Sequence, residues 1–266
     1  MTPQEINKQL KKISKSKMTN SEKVVFYSTG FLNTPYELQC EGDGPYALYE
    51  TMPLMNFKQT NCMCYVEMVM AMTLSSNYEE MFNVLQHIRY RNGIIGMATR
   101  NHYTIGDWLP ANSWCLRDVT EEVGRDKCKS LTRTISHKTF FTGKGLTDIH
   151  DLIPDRTMTI KYIPKDNLLS IEKNLKSGDI VSIIMDQPGI FSAHMGFIIK
   201  RDGMAYFRHA SSLKMNTVDQ TFEEYVKIVK KNKKRLGMVF MRIREDVQWE
   251  ENGEIRHGKI NLSAIK

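Results

Sequence analysis

At 266 residues, with 41% hydrophobic and 25% charged side chains, the chain has the composition of an ordinary globular protein. It is long enough for one large domain or two small ones with a sizeable core. No run approaches the roughly 18 apolar residues of a membrane span, and five cysteines (40, 62, 64, 115 and 128) without a CxxC pair argue against a zinc ribbon or a dense disulfide framework. The formal charge of +7 mildly favours anionic partners. It is concentrated in two runs, Lys8–Lys17 and Lys227–Arg235, read as solvated helix faces. With no aromatic–basic interleaving and no helix-turn-helix pattern, nucleic acid is not an expected partner.

Met1–Asn20 is polar and lysine-rich with no apolar run behind it, so no secretory leader is expected here. The compartment stays open: periplasmic or secreted if a leader has been removed, otherwise cytoplasmic. Residues 1–20 read as a basic arm or short helix, 21–244 as the main domain and 245–266 as a polar tail. Thr19-Asn20-Ser21-Glu22 has the form of a capping box and opens a helix through about Leu32. Pro35 ends it by biasing Thr34 away from helical backbone. Glu41–Pro45 is turn-rich, and Leu48–Thr60 leads to a helix over about 62–75. Ser76–Glu80 caps a further helix carrying Met81, Val84, Leu85 and Ile88, with Gly93 as its terminating residue. The segment Arg89–Trp114 has neither helical nor strand period and is rich in stacking and hydrogen-bonding side chains, the character of a binding loop. Beyond it, Arg133–Phe140, Met158–Ile163, Asp179–Met185 and Met238–Ile243 read as strands, and Leu168–Leu175 and Thr221–Lys231 as helices. His194–Lys200 and Ala205–Arg208 read as a hairpin about an Arg201-Asp202-Gly203 turn. Helices first and antiparallel strands later argue for an α+β fold, helices packed on an antiparallel sheet.

The stretch from Asn61 to Glu67 carries the chemistry. Asn61 is a good N-cap, and Cys62 follows it in the first helical turn, where the dipole favours a thiolate. Tyr65, Val66, Val69, Met70 and Met72 have roughly the spacing of one apolar face. Cys62 and Cys64 point about 200° apart on a helix, so they are not a metal pair, and no metal or other cofactor is expected. His194 opens one strand of the hairpin and His209 closes the other, which brings them to one edge of the sheet. A thiol nucleophile needs that arrangement: one imidazole as base and a second polar group to hold its ring.

The order Thr34-Pro35-Tyr36, Asn61-Cys62, Ser177-Gly178-Asp179, His194-Met195-Gly196 and His209-Ala210-Ser211 resembles the NlpC/P60 cysteine peptidase superfamily. Ile88-Arg89-Tyr90-Arg91-Asn92-Gly93, Arg100-Asn101-His102-Tyr103 and Asp107-Trp108 are similar to signatures of its DUF1460 branch, the N-acetylmuramoyl-L-alanine amidase-like proteins. The resemblance covers roughly residues 24–243. It implies a papain-like fold with an insertion, here 93–165, between the cysteine helix and the histidine strands. It also implies Cys62 as nucleophile, His194 as general base and acid, and His209 as the group orienting His194. Tyr36 would contact substrate beside the site, and Arg100, His102, Tyr103, Asp107 and Trp108 would line the pocket. The implied substrate is a peptidoglycan fragment, cut between N-acetylmuramic acid and L-alanine. Asn61 departs from the family's usual aspartate. Alternatives are a D-glutamyl–diamino acid endopeptidase of the same fold, a non-hydrolytic acyltransferase or wall-binding module, and a basic nucleic-acid binder using Lys227–Arg235.

Overall fold

A computed structural model describes residues 2–251 and 254–257, with side chains to residue 247. Helix α1 (Pro3–Ile13) starts with proline after a capping box between Thr2 and Glu5. Its lysines are exposed, but Ile6, Leu10 and Ile13 are buried at the three- and four-residue spacing of one helix face. Helix α2 (Asn20–Thr29) has the expected capping box of Thr19 and Glu22 and stops three residues before Leu32. Helices α3 (Cys62–Leu74) and α4 (Tyr78–Arg89) follow, each capped by an asparagine.

The expected one-sided helix at α3 is instead buried all round from Cys64 to Thr73. It packs against α2, α4 and the sheet, so no face is left for polar residues. Helix α4 ends at Arg89, not at Gly93. Tyr90 adopts extended backbone, and Asn92 and Gly93, with φ of 56° and 69°, close a separate turn.

The insertion opens with a single wide turn at Thr104–Trp108 that runs into α5 (Leu109–Ala111). The short strand β1 (Leu116–Asp118) and α6 (Thr120–Gly124) follow. The strand expected at Arg133–Phe140 is displaced: β2 is Lys129–Ile135, and helix α7 (His137–Gly143) takes the aromatic half. The Ser136 hydroxyl caps that helix, accepting from Thr139 N at 3.1 Å, a local bond that competes with extending the strand. After β3 (Arg156–Pro164), residues 165–174 form 3₁₀ turns in place of the expected α-helix.

Strands β4 (Ile180–Met185), β5 (Ser192–Arg201), β6 (Met204–Ser211) and β7 (Asn216–Thr221) form a meander. Helix α8 (Phe222–Lys231) and β8 (Arg235–Ile243) follow, and β9 (Gln248–Glu251) and β10 (Glu254–His257) form a separate hairpin. The expected polar tail otherwise falls at 252–253 and 258–266, outside the described residues. The described residues give an α+β fold with an eight-stranded sheet in the order β2-β3-β8-β4-β5-β6-β7, with β1 also on β8. Every pairing is antiparallel. The β5–β6 turn has two residues rather than three: Arg201 pairs with Met204, and Asp202 and Gly203 both have positive φ, as a type I′ hairpin turn requires.

The sheet is covered on both sides. Ile180, Ile184, Met195, Phe197 and Ile199 face α1–α4. Val181, Ile183, Ile198 and Phe207 face α8 and α6. Gly178, at φ 86°, turns the chain into β4. Asp179 behind it is fully buried and takes Arg242 Nε and Nη2 at 2.6 and 3.1 Å. The Gly-Asp pair is thus an anchor between β4 and β8. Asp179→Ala would leave Arg242 buried and short of its main partner, and should destabilise the fold by roughly 3–5 kcal/mol. Urea unfolding measures this; a loss under about 1 kcal/mol would show that the pair is not the anchor.

Candidate active site

Cys62 is the first residue of α3. Asn61 caps the helix, its Oδ1 accepting from Met63 N at 3.0 Å and Cys64 N at 2.9 Å. Its Nδ2 donates to Leu38 O at 2.9 Å and reaches Cys40 Sγ at 3.6 Å. The Thr34–Tyr36 segment is stitched down on both sides. Asn33 N and Tyr36 N donate to Thr217 O and Met215 O, and Thr60 N donates to Pro35 O, at 2.9 to 3.0 Å. Tyr36 is therefore held beside the helix entry, and the charge of Cys62 helps to raise its phenol pKa, after burial.

His194 and His209 meet as the hairpin predicts. His194 Nε2 lies 2.8 Å from His209 Nδ1, with the two rings at right angles, 4.9 Å apart. His209 Nε2 is 2.9 Å from Gln220 Oε1. The ring of Tyr225 lies 6.4 Å from His194 and 5.1 Å from His209, and its phenol is pushed up to about 12 by burial, with Cys62 adding to the rise. The Met195 backbone N–H is directed at the Cys62 sulfur. Both histidines thus lie against Tyr225, and Cys62 lies toward the same ring and the start of β5, on which α3 packs.

Gly196 makes this possible. A Cβ there would lie 2.5 Å from Arg208 O and 2.8 Å from His209 Cβ, so only glycine lets His209 cross to His194.

The electrostatics differ from the expected thiolate. Burial raises the Cys62 thiol above its usual value, outweighing the N–H groups of Met195, Met63 and Cys62 itself. Burial also lowers His194 well below the usual imidazole range, with His209 and Arg235 adding to the effect. Both directions favour the uncharged forms, thiol and imidazole, at neutral pH. The helix dipole is worth under about 2 kcal/mol, less than the desolvation of a charge.

The insertion residues are placed elsewhere. Arg100 pairs with Asp43 and with Glu50, and Asp107 with His137 and Arg156. Arg100 and Asp107 line a cavity of about 410 Å³ with Asn101, His137 and Arg156, whose lining does not include Cys62, His194 or His209. His102 bonds Met97 O at 2.7 Å and stacks on Phe140. Tyr103 donates to Ser136 O at 2.9 Å. Trp108 is wholly buried and lines no surface.

Sequence reading missed Gln220, Tyr225 and Arg235. Tyr225 sits at an ordinary apolar position of α8, and Gln220 lies in a polar strand with no clear alternation. The pairing of a third strand with that of His209 was the available signal. Among the described residues no group of His, Cys, Asp and Glu could hold a metal, and no helix is long and apolar enough to cross a membrane.

The model of the AmiA-like family, N-acetylmuramoyl-L-alanine amidase-like proteins, matches residues 26–235. The chain belongs to the AmiA-like family. A crystal structure of protein LPG0564 from Legionella pneumophila, of family DUF1460, superposes with a TM-score of 0.83 at 21% identity, covering 91% of this chain and 94% of that one. That likeness is one of fold. A crystal structure of an N-acetylmuramoyl-L-alanine amidase from Bacteroides uniformis superposes with a TM-score of 0.68 at 27% identity, covering 85% of this chain and 99% of that one. No curated protein sequence matches. The match identifies this AmiA-like chain as a member of an amidase-like family of enzymes.

Two predictions follow from the geometry. Asn61→Asp keeps the cap but turns the donor toward Leu38 O and Cys40 Sγ into an acceptor. It should cost roughly 1–3 kcal/mol in denaturant unfolding; an unchanged midpoint would mean those two contacts carry no weight. His209 is held down to about 4, by burial first, and His102 also to about 4 for the same reason. Unfolded histidine titrates near 6.5. Between those values the unfolded chain binds protons that the folded chain refuses, so stability is full above about pH 6.5, falls as pH drops toward 4, and levels off below. Each histidine contributes up to roughly 3 kcal/mol of this loss. Unfolding curves at pH 7, 5.5 and 4 should show the decline, shallower in His209→Asn; a flat profile would refute it.

Proposed function

We propose that this chain is a cysteine amidohydrolase acting on peptidoglycan fragments, cleaving the amide between the lactyl group of N-acetylmuramic acid and L-alanine. The observation that carries the reading is Cys62 at the start of a capped helix that packs on the strands bearing His194 and His209, which meet at 2.8 Å. Membership of the AmiA-like family supports it, as does the Bacteroides uniformis amidase structure. The reading includes a papain-like, NlpC/P60 type of fold, supported by a helix carrying its cysteine at the N-terminus against a histidine-bearing antiparallel sheet.

In this mechanism a neutral pair reacts. Cys62 Sγ attacks the amide carbonyl as its proton passes to His194, and the carbonyl electrons move to oxygen. The oxyanion is met by backbone N–H groups at the helix start, Cys62's own among them. His194 then gives the proton to the leaving nitrogen of L-alanine, the C–N bond breaks and a thioester remains. Water, deprotonated by His194, attacks the thioester and frees the thiol. Starting from neutral partners suits this chemistry, because His194 must accept and return one proton per half-reaction. Tyr36 contacts the substrate beside Cys62. Arg100 and Asp107 act from the insertion cavity, where His102 and Tyr103 pack against His137 of its wall, while Trp108 stays in the core.

Incubating disaccharide anhydro-muropeptides and intact sacculi with wild type and Cys62→Ala, followed by mass spectrometry, tests this. Free stem peptide beginning at L-alanine is expected with wild type and absent with the variant. Cleavage inside the stem would move the bond to the D-glutamyl–diamino acid position. No product from either substrate would overturn hydrolysis.

A further inference from the structure

The histidine pair does not end at His209. Its Nε2 lies 2.9 Å from Gln220 Oε1, on a strand that pairs with His209's own: β7 runs beside β6 with Arg208 opposite Asp219 and His209 opposite Val218. Next to this contact, buried Arg208 grips Asp219 through Nε at 2.7 Å and Nη2 at 2.9 Å and bonds Ser28 and Thr29 on α2. The residue before Gln220 is thus clamped to the residue before His209, which fixes the amide against the ring.

A carbonyl oxygen can only accept. Gln220 Oε1 therefore requires the proton of neutral His209 on Nε2, which leaves His209 Nδ1 bare. The 2.8 Å contact to His194 Nε2 must then be filled by a proton on His194, and His194 Nδ1 is left bare in turn. The order is Gln220 Oε1···H–Nε2 His209 Nδ1···H–Nε2 His194 Nδ1.

We infer that Gln220 is a positioning residue of the active site, whose side-chain oxygen sets the tautomers of His209 and His194 so that Nδ1 of His194 is the base. This rests on the proposed role of His194 toward Cys62. When the thiol is consumed, the S–H bond breaks, its proton goes to His194 Nδ1, and the S–C bond forms as the carbonyl electrons move to oxygen. The resulting imidazolium holds both ring protons, Nε2–H still bonded to His209, whose lone pair faces the new charge. The opposite amide orientation would reverse every bond: His209 would donate from Nδ1, His194 would carry its proton on Nδ1, and no base would face the thiol. A neutral donor in place of Gln220 Oε1 would thus silence the site without moving a histidine.

The test reads tautomers directly, by two-bond ¹⁵N–¹H correlation on histidine-labelled full-length protein at neutral pH, with His194 and His209 assigned by single substitution. In wild type both rings should carry the proton on Nε2. Gln220→Met keeps length and shape but replaces the carbonyl oxygen with a thioether sulfur, a far weaker acceptor. It should lose the Nε2–H pattern at His209 and lower kcat by about 10- to 1,000-fold, with KM and melting temperature little changed. Gln220→Glu, which accepts only, should restore the pattern and most of the lost kcat. A proton on His209 Nδ1 in wild type, or a Gln220→Met protein with wild-type tautomers and kcat, would overturn the inference. The spectra need no substrate, so a failure of the amidase reading would show separately, as absence of product with wild type.

Discussion

One side-chain amide, that of Asn61, joins the parts of this protein that must meet for chemistry. Its oxygen closes the first turn of α3 and its nitrogen holds the loop at Leu38 and Cys40. The helix start, and with it Cys62, is therefore fixed relative to the segment that carries Tyr36. An aspartate would serve the helix as well but would turn a like-charged oxygen toward the loop carbonyl. The asparagine is better explained by the loop than by the thiol.

A set of buried charges performs a similar task for the loop between Cys40 and Leu54. Arg89, at the end of α4, bonds Glu67 of α3 at 2.8 Å, Leu54 O at 2.8 Å, and Glu41. Tyr90 donates to Asp43 at 2.7 Å and Arg100 bonds Glu50 at 2.6 Å. The loop between Cys40 and Leu54 leaves Tyr46, Leu48 and Met52 exposed instead of burying them, so it is held to the helices by ions. Such pairs are costly to break from one side, and they favour one loop arrangement over others. The arginines and tyrosine that look like a binding signature in the sequence here fasten a loop.

What was legible in the sequence is what depends on neighbours along the chain. The capping box of Thr19, the Asn61 cap and a turn at Arg201–Gly203 are local features, and each reads from residue types at fixed spacing. The meeting of His194 and His209 follows from the hairpin alone. The rest depends on partners distant in sequence. That α3 is buried all round is decided by α2, α4 and the sheet, which no periodicity in 62–74 reveals. Strand β2 stops at Ile135 because Ser136 caps the next turn and His137 finds Asp107, thirty residues away. Trp108, expected from the resemblance to line the pocket, closes the wide turn at 104–108 and is a core residue. Gln220 was hidden because a polar strand gives no alternation, so its place beside His209 exists only once β7 has paired.

The order of strands has a temporal side. Strand β8, at the middle of the sheet between β4 and the β1 and β3 pair, is the last of the eight in the chain. Cys62 on α3 precedes His194 on β5 by more than a hundred residues, and β8 comes later still. A ribosome emitting this chain exposes the oily helix α3 and the open edges of β3 and β4 long before the strand that joins them. Contacts so far apart in sequence form slowly, and unpaired edges are where such intermediates stick to one another. The same arrangement keeps Cys62 and the histidine pair apart in a nascent chain until α3 has packed on the sheet.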